Sequence, residues 1–333
     1  MKHIESYITA RGYTCRAGLV ESYYLSLKSR PFVFLCGKRA TDMTVLPRLF
    51  AEAIEAPFLC LGVRPDWMDS SDLFGHLDLE GNFVPGAIID FLKQAQSDPE
   101  TPHFLCFDGV LLDRAEYFLR EILASVESRQ TDDPLPLVTM AYYGRDEQAA
   151  ARYGVIPSLD NLYITCTVNM DEASRPIHQK LLDRVHAMAY EEDALIPTAQ
   201  ARAAASTRRT NDFLRTVYAR LDQCDRQQLL PYFAEFEELN KLLMKANAYM
   251  GYRQRNDGVL YLMHAKQAGL SQKRALDHVI AHKILTRVQG SAKTVQPVLE
   301  ALLEACDAYP YTTAKLKTML TQCQTDGYAG FWE

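Results

Sequence analysis

Hydrophobic residues gather in four short unbroken runs in the first half of the chain. These are "FVFLC" (32–36), "FLCLGV" (58–63), "FLCF" (104–107) and "LYITCTV" (162–168), with a weaker fifth in "HAMAY" (186–190). Between them, "LPRLFAEAIEA", "AIIDFLKQAQ" and "AEYFLREILASVE" repeat apolar residues at helical spacing. Continuous apolar strands alternating with helices predict an α/β fold whose parallel sheet is covered on both faces. The opening "IESYITARGYTCRAGLVESYYLSL" reads as helical. Strand patterns stop near residue 195, and "LRTVYARLDQCDRQQLLPYFAEFEELNKLLMKANAYM" begins a run of amphipathic helices. The expected organisation is an N-terminal helical segment (1–30), an α/β core (31–195) and a helical C-terminal domain (196–333). Residues 129–161 form a long polar segment bearing Pro and Gly, expected to be a mobile surface loop or hairpin inserted in the core. There is no internal repeat.

Composition sharpens the class more than the function. The 333 residues are 48% hydrophobic and 23% charged, as in an ordinary folded protein, and carry a net charge of -6. That charge excludes a global basic footprint for nucleic acid. The local basic candidate is "STRRTNDFLR" (206–215), expected to be a solvated helix face. The eight cysteines contain no C-x-x-C pair, which excludes zinc-finger and thioredoxin-type readings. Cys36, Cys60, Cys106 and Cys166 sit in the strand runs and are expected to be buried free thiols in a reducing cytoplasm. The start "MKHIESYITARGY" lacks the apolar stretch of a signal peptide, and no uncharged apolar run approaches the roughly 20 residues of a membrane span. A cytoplasmic protein with no membrane partner is the expectation.

The candidate chemistry lies after the first strand. Gly37 and Thr44 stand at the spacing of G-x-x-x-x-G-K-[ST], the loop that cradles nucleotide phosphates with its amides, reaches them with its lysine and binds Mg²⁺ with its Ser/Thr. The Gly-Lys pair is here Asp42-Met43. The strand "FLCFDG" ends at Asp108 and Gly109, with the acid where it would support the metal, and "TVNMDE" places Asn169 where a polar residue would sense the γ-phosphate. Outside this group, His278 and His282 are spaced four apart like metal ligands but lack a third, and read as a solvated pair. Trp67 could stack on a base or a partner, and reads more simply as a packing anchor.

Taken in order, "VRPDWMDSSDLFGHLDLEGNFVPGAIIDFLKQA", "FDGVLLDRAEYFLREILASVE", "YITCTVNMDEASRPIHQKLLDRV", "MGYRQRN" and "HKILTRVQGS" resemble the McrB-like branch of AAA+ proteins. Those are the nucleotide-hydrolysing subunits of modified-cytosine restriction and related phage-defence systems. The resemblance implies a P-loop NTPase-type AAA+ core with a parallel sheet, a C-terminal helical lid and ring assembly. It implies degenerate nucleotide-binding positions at Gly37, Lys38, Arg39, Asp42, Met43, Thr44 and Arg253, Mg²⁺ at Thr44 and Asp108 only where nucleotide binds, and no intact catalytic set, with Asp108, Asn169 and Arg184 as its residual members. Asp171, Glu172 and Asp183 match the family too, and Arg184 would complete the site of a neighbouring subunit.

The departures matter more. The turn glycine of the phosphate loop is Asp42, which sets a carboxylate where polyphosphate would sit, and like charges repel. The lysine is Met43. In the second motif the water-activating glutamate is Gly109 and the following asparagine is Leu111, while Arg114, Glu116 and Tyr117 are kept. No other G-x-x-x-x-G-K-[ST] occurs in the chain. A non-hydrolysing structural or regulatory subunit of a defence assembly is therefore expected. No cofactor is required, although loop amides leave room for weak ATP, GTP or a diphosphate with Mg²⁺. Its partners would be its own copies, an AAA+ paralogue or a nuclease subunit, with nucleic acid reached through them. Two alternatives remain: a divergent ATPase or GTPase using Lys38 or Arg39 with Asp108, and a nucleic-acid-binding module using Arg202–Arg215.

Overall fold

The computed structural model describes residues 1–38, 42–171, 177, 179–190 and 204–332. Arg39, Glu172 and Arg202 lie outside the described residues. The chain divides into two compact units: Met1–Val20, Pro31–Arg175 and Tyr190–Arg215 form one, and Glu21–Arg30, Pro176–Ala189 and Thr216–Glu333 the other.

The first unit is an α/β layer structure. Its strands are β1 (Phe32–Gly37), β2 (Phe58–Gly62), the short β3 (Gly75–Leu77) and β4 (Phe83–Pro85), β5 (His103–Asp108) and β6 (Leu162–Asn169). β1, β2, β5 and β6 belong to a five-stranded sheet and lie in the order β2-β5-β6-β1, all paired in parallel. The four main hydrophobic runs are thus the sheet strands. β1 is buried throughout, β5 as far as Phe107 and β6 as far as Val168, as a sheet covered on both faces requires. β2 is only partly buried, because it is the edge strand. Its helices are α1 (Lys2–Ala10), α3 (Val45–Ala53), α4 (Ser71–Phe74), α5 (Ile89–Ser97), α6 (Leu112–Phe118), α7 (Arg120–Ser128) and α8 (Glu147–Tyr153), while α2 (Leu19–Ser29) lies almost wholly in the second unit. α3 packs on the sheet through Phe50, whose ring centroid is 5.8 Å from that of Phe104.

Two expectations are refined in this unit. Residues 129–161 form a packed hairpin rather than a loose loop: Val138 pairs antiparallel with Ile156, and Leu137, Val138, Tyr143, Tyr153 and Ile156 are all buried. Tyr143 and Tyr153 set their rings edge-on to Phe83 at 4.9 and 5.7 Å, and Asp146 accepts the Phe83 amide at 2.9 Å. Isolated aromatics in a polar sequence supply that anchoring. "STRRTNDFLR" is no helix face either. It is irregular apart from a 3₁₀ turn at Asn211–Phe213, and its backbone bonds Thr207 to Ala53 and Arg209 to Ile54. Arg208, Arg209 and Arg215 are exposed.

The second unit carries β7 (His186–Ala189), α9 (Gln179–Leu182), the helices α10 (Arg226–Met244), α11 (Tyr252–Gln267), α12 (Gln272–Val279), α13 (Ala292–Ala305) and α14 (Pro310–Thr325), and the pair β8 (Gln289–Ser291) and β9 (Tyr328–Gly330). Those last two strands were not expected beyond residue 195. Its interior holds an ionic group. Asp257 accepts from Arg30 at 2.7 Å and Lys283 at 3.4 Å, Lys283 also donates to the Val185 carbonyl, and all three side chains are buried. Lys283 rides a π-helical turn at Ile280–Ile284, where the widened coil sets side chains off the regular helical faces. His278 and His282 are not solvated: both are buried with rings stacked 6.1 Å apart, and His282 Nδ1 meets Ser22 Oγ at 3.2 Å.

Candidate functional site at the ends of the parallel strands

In an open parallel sheet, ligands sit beyond the carboxyl ends of the strands, next to the strand where the chain reverses its direction of winding. Here the chain leaves β1 and passes over β6 and β5 to reach β2. The candidate crevice therefore lies beside Gly37. Gly37 and Asn169 are register partners at the ends of β1 and β6, and Met170 donates its amide to the Gly37 carbonyl at 2.9 Å. Asp108 closes β5 beside β6. The sequence-predicted residues Gly37, Asp108 and Asn169 are thus brought to one sheet end.

The described residues of the loop after Gly37 are Lys38, Asp42, Met43 and Thr44. Met43 is buried, with 4% of its surface exposed. A lysine ammonium at that position would have to be desolvated, and the thioether is not. Thr44 precedes α3 and donates its hydroxyl hydrogen to Asp42 Oδ1 at 2.8 Å, so the side chain at the Mg²⁺-ligand position is engaged by its neighbour's carboxylate. Asp42 and Lys38 are exposed. The described part of this loop fits a polyphosphate poorly: it presents an acid, holds its hydroxyl on that acid and buries an apolar side chain where a cation belongs.

The second motif is also closed on itself. Asp108 accepts the hydroxyl of Thr167 at 2.6 Å, and the same Thr167 oxygen accepts the Gly109 amide at 2.9 Å. Thr167 is buried on β6 and was not among the predicted residues; only its place two residues before Asn169 hints at it. Gly109 has φ +72°, a left-handed conformation that side-chain-bearing residues adopt at a cost, although the space around it is open. Leu111 follows at the N-terminal edge of α6 and is exposed. Arg114 donates to the Pro65 carbonyl and so ties down the loop that carries Trp67. Trp67 is buried edge-on against Phe118 at 5.7 Å, so it is a packing anchor and no exposed stacking platform.

The remaining predicted residues lie in the second unit. Arg184 is half-buried, and its carbonyl accepts from Arg30 at 2.9 Å. Asp183 is held by Arg287 at 2.6 Å. Arg253 is exposed in the first turn of α11. Among the described residues no group of three or more His, Cys, Asp or Glu is placed to hold a metal ion, and no helix is long and apolar enough to cross a membrane.

The thiols divide. Cys36, Cys106 and Cys166 are buried as expected, and burial pushes the Cys36 and Cys166 thiols above their ordinary range. Cys60 is exposed instead, because β2 is the sheet's edge.

Residues 198–328 match a family described as "Domain of unknown function (DUF8727)". No curated protein is similar to the chain. A solved structure described as a "putative ATPase" from Cytophaga hutchinsonii is 14% identical, covers 85% of each chain and has a TM-score of 0.47, a likeness too distant to speak to activity.

Proposed function

We propose that this protein is a non-hydrolysing, structural or regulatory subunit built on an AAA+-like scaffold. The observation that carries the reading is the burial of Met43 at the position of the phosphate-binding lysine. Phosphoryl transfer rests on positioned cations and a directed water. Here one cation has become core, the Thr44 hydroxyl is spent on Asp42, and the residue after Asp108 is a glycine in a left-handed turn. The McrB-like blocks support a place in a restriction or phage-defence assembly in the cytoplasm. There the chain assembles with its own copies, an AAA+ paralogue or a nuclease subunit, and residues 196–333 act as the lid. Arg184 then serves the active site of a competent neighbour, and Arg253 faces that lid's nucleotide side.

The test is turnover by the purified chain. With Mg²⁺ and ATP or GTP, no release of phosphate above that of Asp108→Asn is expected, and no thermal stabilisation by either triphosphate. Robust Mg²⁺-dependent turnover abolished by Asp108→Asn would overturn the reading. In a reconstituted mixture with a competent AAA+ paralogue, Arg184→Ala lowers the paralogue's turnover; an unchanged rate removes the role given to Arg184.

A further inference from the structure

Cys60 on β2 and Cys106 on β5 are direct register partners in the parallel sheet. Register partners on neighbouring strands project to the same face, about 4.8 Å apart. Residues two further along each strand also share that face, so the thiol pair forms the rung immediately beneath Gly62 and Asp108. The pair is asymmetric: Cys60 is exposed at the sheet edge, and Cys106 is fully buried. Pairing with the Cys106 thiol lowers the Cys60 thiol below the ordinary cysteine range. Partial burial and the charges of Asp108 and Asp42 act against that shift. The same pairing, together with burial, pushes the Cys106 thiol up.

We propose that Cys60 and Cys106 are a reversible redox modification site, oxidised to a disulfide by hydrogen peroxide through Cys60. An attacking thiol must be reachable and able to ionise, and a resolving thiol must lie beside it. Only Cys60 of this pair meets the first condition, and only Cys106 stands in register with it. In the first step the Cys60 thiolate attacks one peroxide oxygen. The S–O bond forms, the O–O bond breaks, and the departing hydroxide takes a proton to leave as water. In the second step Cys106 sulfur attacks the sulfenic sulfur. The S–S bond forms, the S–O bond breaks, and hydroxide leaves with the Cys106 proton as a second water. Two thiols lose two electrons in all, and one peroxide becomes two waters.

Geometry also argues for reversibility. The strand spacing of about 4.8 Å falls inside the roughly 4.4–6.8 Å that separates the α-carbons of disulfide-linked residues, so the bond can form and break without rebuilding the sheet. The exposure of Cys60 at the sheet edge leaves the disulfide open to attack by a reducing thiol. In a reducing compartment such a bond would be transient and would report oxidant rather than staple the fold.

The experiment treats the full chain with a slight excess of hydrogen peroxide, blocks remaining thiols and digests with trypsin. Cleavage after Lys93 places Cys60 and Cys106 in different peptides. The expected product is one cross-linked pair of these peptides, lighter than the two thiol peptides by two hydrogens and separated by dithiothreitol. Before oxidation, Cys60 reacts with a maleimide at least about tenfold faster than buried Cys36. In Cys106→Ser, oxidation stops at a Cys60 sulfenic acid that dimedone traps; in Cys60→Ser, Cys106 stays a thiol. Should either variant fold poorly, the wild-type map still decides. Cys60 driven to sulfinic or sulfonic acid with Cys106 still reduced, a disulfide to any other cysteine, or an unreactive Cys60 would each overturn the proposal.

Discussion

Thr167 holds Asp108 in place with one short hydrogen bond. Its hydroxyl donates to Asp108 Oδ1 at 2.6 Å and its oxygen accepts the Gly109 amide at 2.9 Å, so one buried side chain fixes both of these residues. Thr167→Val keeps the shape and removes both bonds. It leaves the Gly109 amide without this acceptor and the carboxylate without this donor, at an expected cost of about 1–3 kcal/mol. Urea unfolding of the variant checks this, and Thr167→Ser should recover most of the loss. Equal stability of wild type and Thr167→Val would mean that the bridge contributes nothing.

Met43 distinguishes a core residue from a ligand-binding one. If the side chain serves the fold, Met43→Ala opens a cavity and lowers stability by about 2–5 kcal/mol. Met43→Lys desolvates an ammonium and also destabilises. If the position still served phosphate, Met43→Lys would instead raise nucleotide affinity with little change in stability. Thermal unfolding of both variants, with and without Mg-ATP, separates the two cases.

Gly109→Glu introduces the carboxylate that McrB-like proteins, which the sequence resembles, carry after the aspartate. The space around Gly109 is open, but φ is +72°, so the cost is backbone strain of about 1–2 kcal/mol. No turnover is expected to return, because Met43 remains buried and Thr44 remains bonded to Asp42. Phosphate release by Gly109→Glu in excess of the wild type is the result that would count against this account.

The main strands were legible because each is a short apolar run bounded by turn residues, and a sheet strand buried on both faces needs nothing else to be visible. The site's position followed from the strand that ends at Gly37. What escaped the sequence was set by distant partners. β3, β4, β8 and β9 are three residues each, too short to show a period of two. Cys60 and Cys106 lie in similar apolar runs, and only strand order makes one an edge residue and the other a core residue. His278 and His282 read as solvated because polarity is a local property, whereas the burial of His282 depends on Ser22, 260 positions away. Thr167 looked like an ordinary β-branched strand residue until β5 was placed beside it.

The Asp257 group should be fragile to removal of its acid. Asp257→Asn leaves the Arg30 and Lys283 cations buried around a neutral amide, and an expected loss of about 3–5 kcal/mol follows. Lys283→Met removes a buried charge and keeps volume, so it should cost much less. Burial pushes the Lys283 ammonium down to about 8 against the pull of Asp257. The unfolded lysine keeps its proton to about 10.4. Between those values the unfolded chain binds more protons, so stability rises with pH through that window. Chemical denaturation between pH 8 and 10 should show that rise in the wild type and lose it in Lys283→Met.

Acid should act through the buried histidines of the same unit. His264 is fully buried, its Nε2 lies 3.3 Å from the Tyr218 carbonyl, and burial pushes its imidazole down to about 4; His186 is driven well below its ordinary range by burial beside Lys283 and Arg30. In the unfolded chain each titrates near 6.5. Above that value both states are neutral, and stability is independent of these groups. As pH falls from 6.5 towards 4, the unfolded state takes up protons that the folded state refuses, so stability is lost. For His264 alone the loss approaches about 3 kcal/mol at pH 4. His264→Gln removes the titration, so the stability difference between wild type and variant should narrow by about that amount between pH 7 and pH 4. Parallel stability profiles for the two proteins across this range would show that His264 is protonated as readily in the folded chain as in the unfolded one.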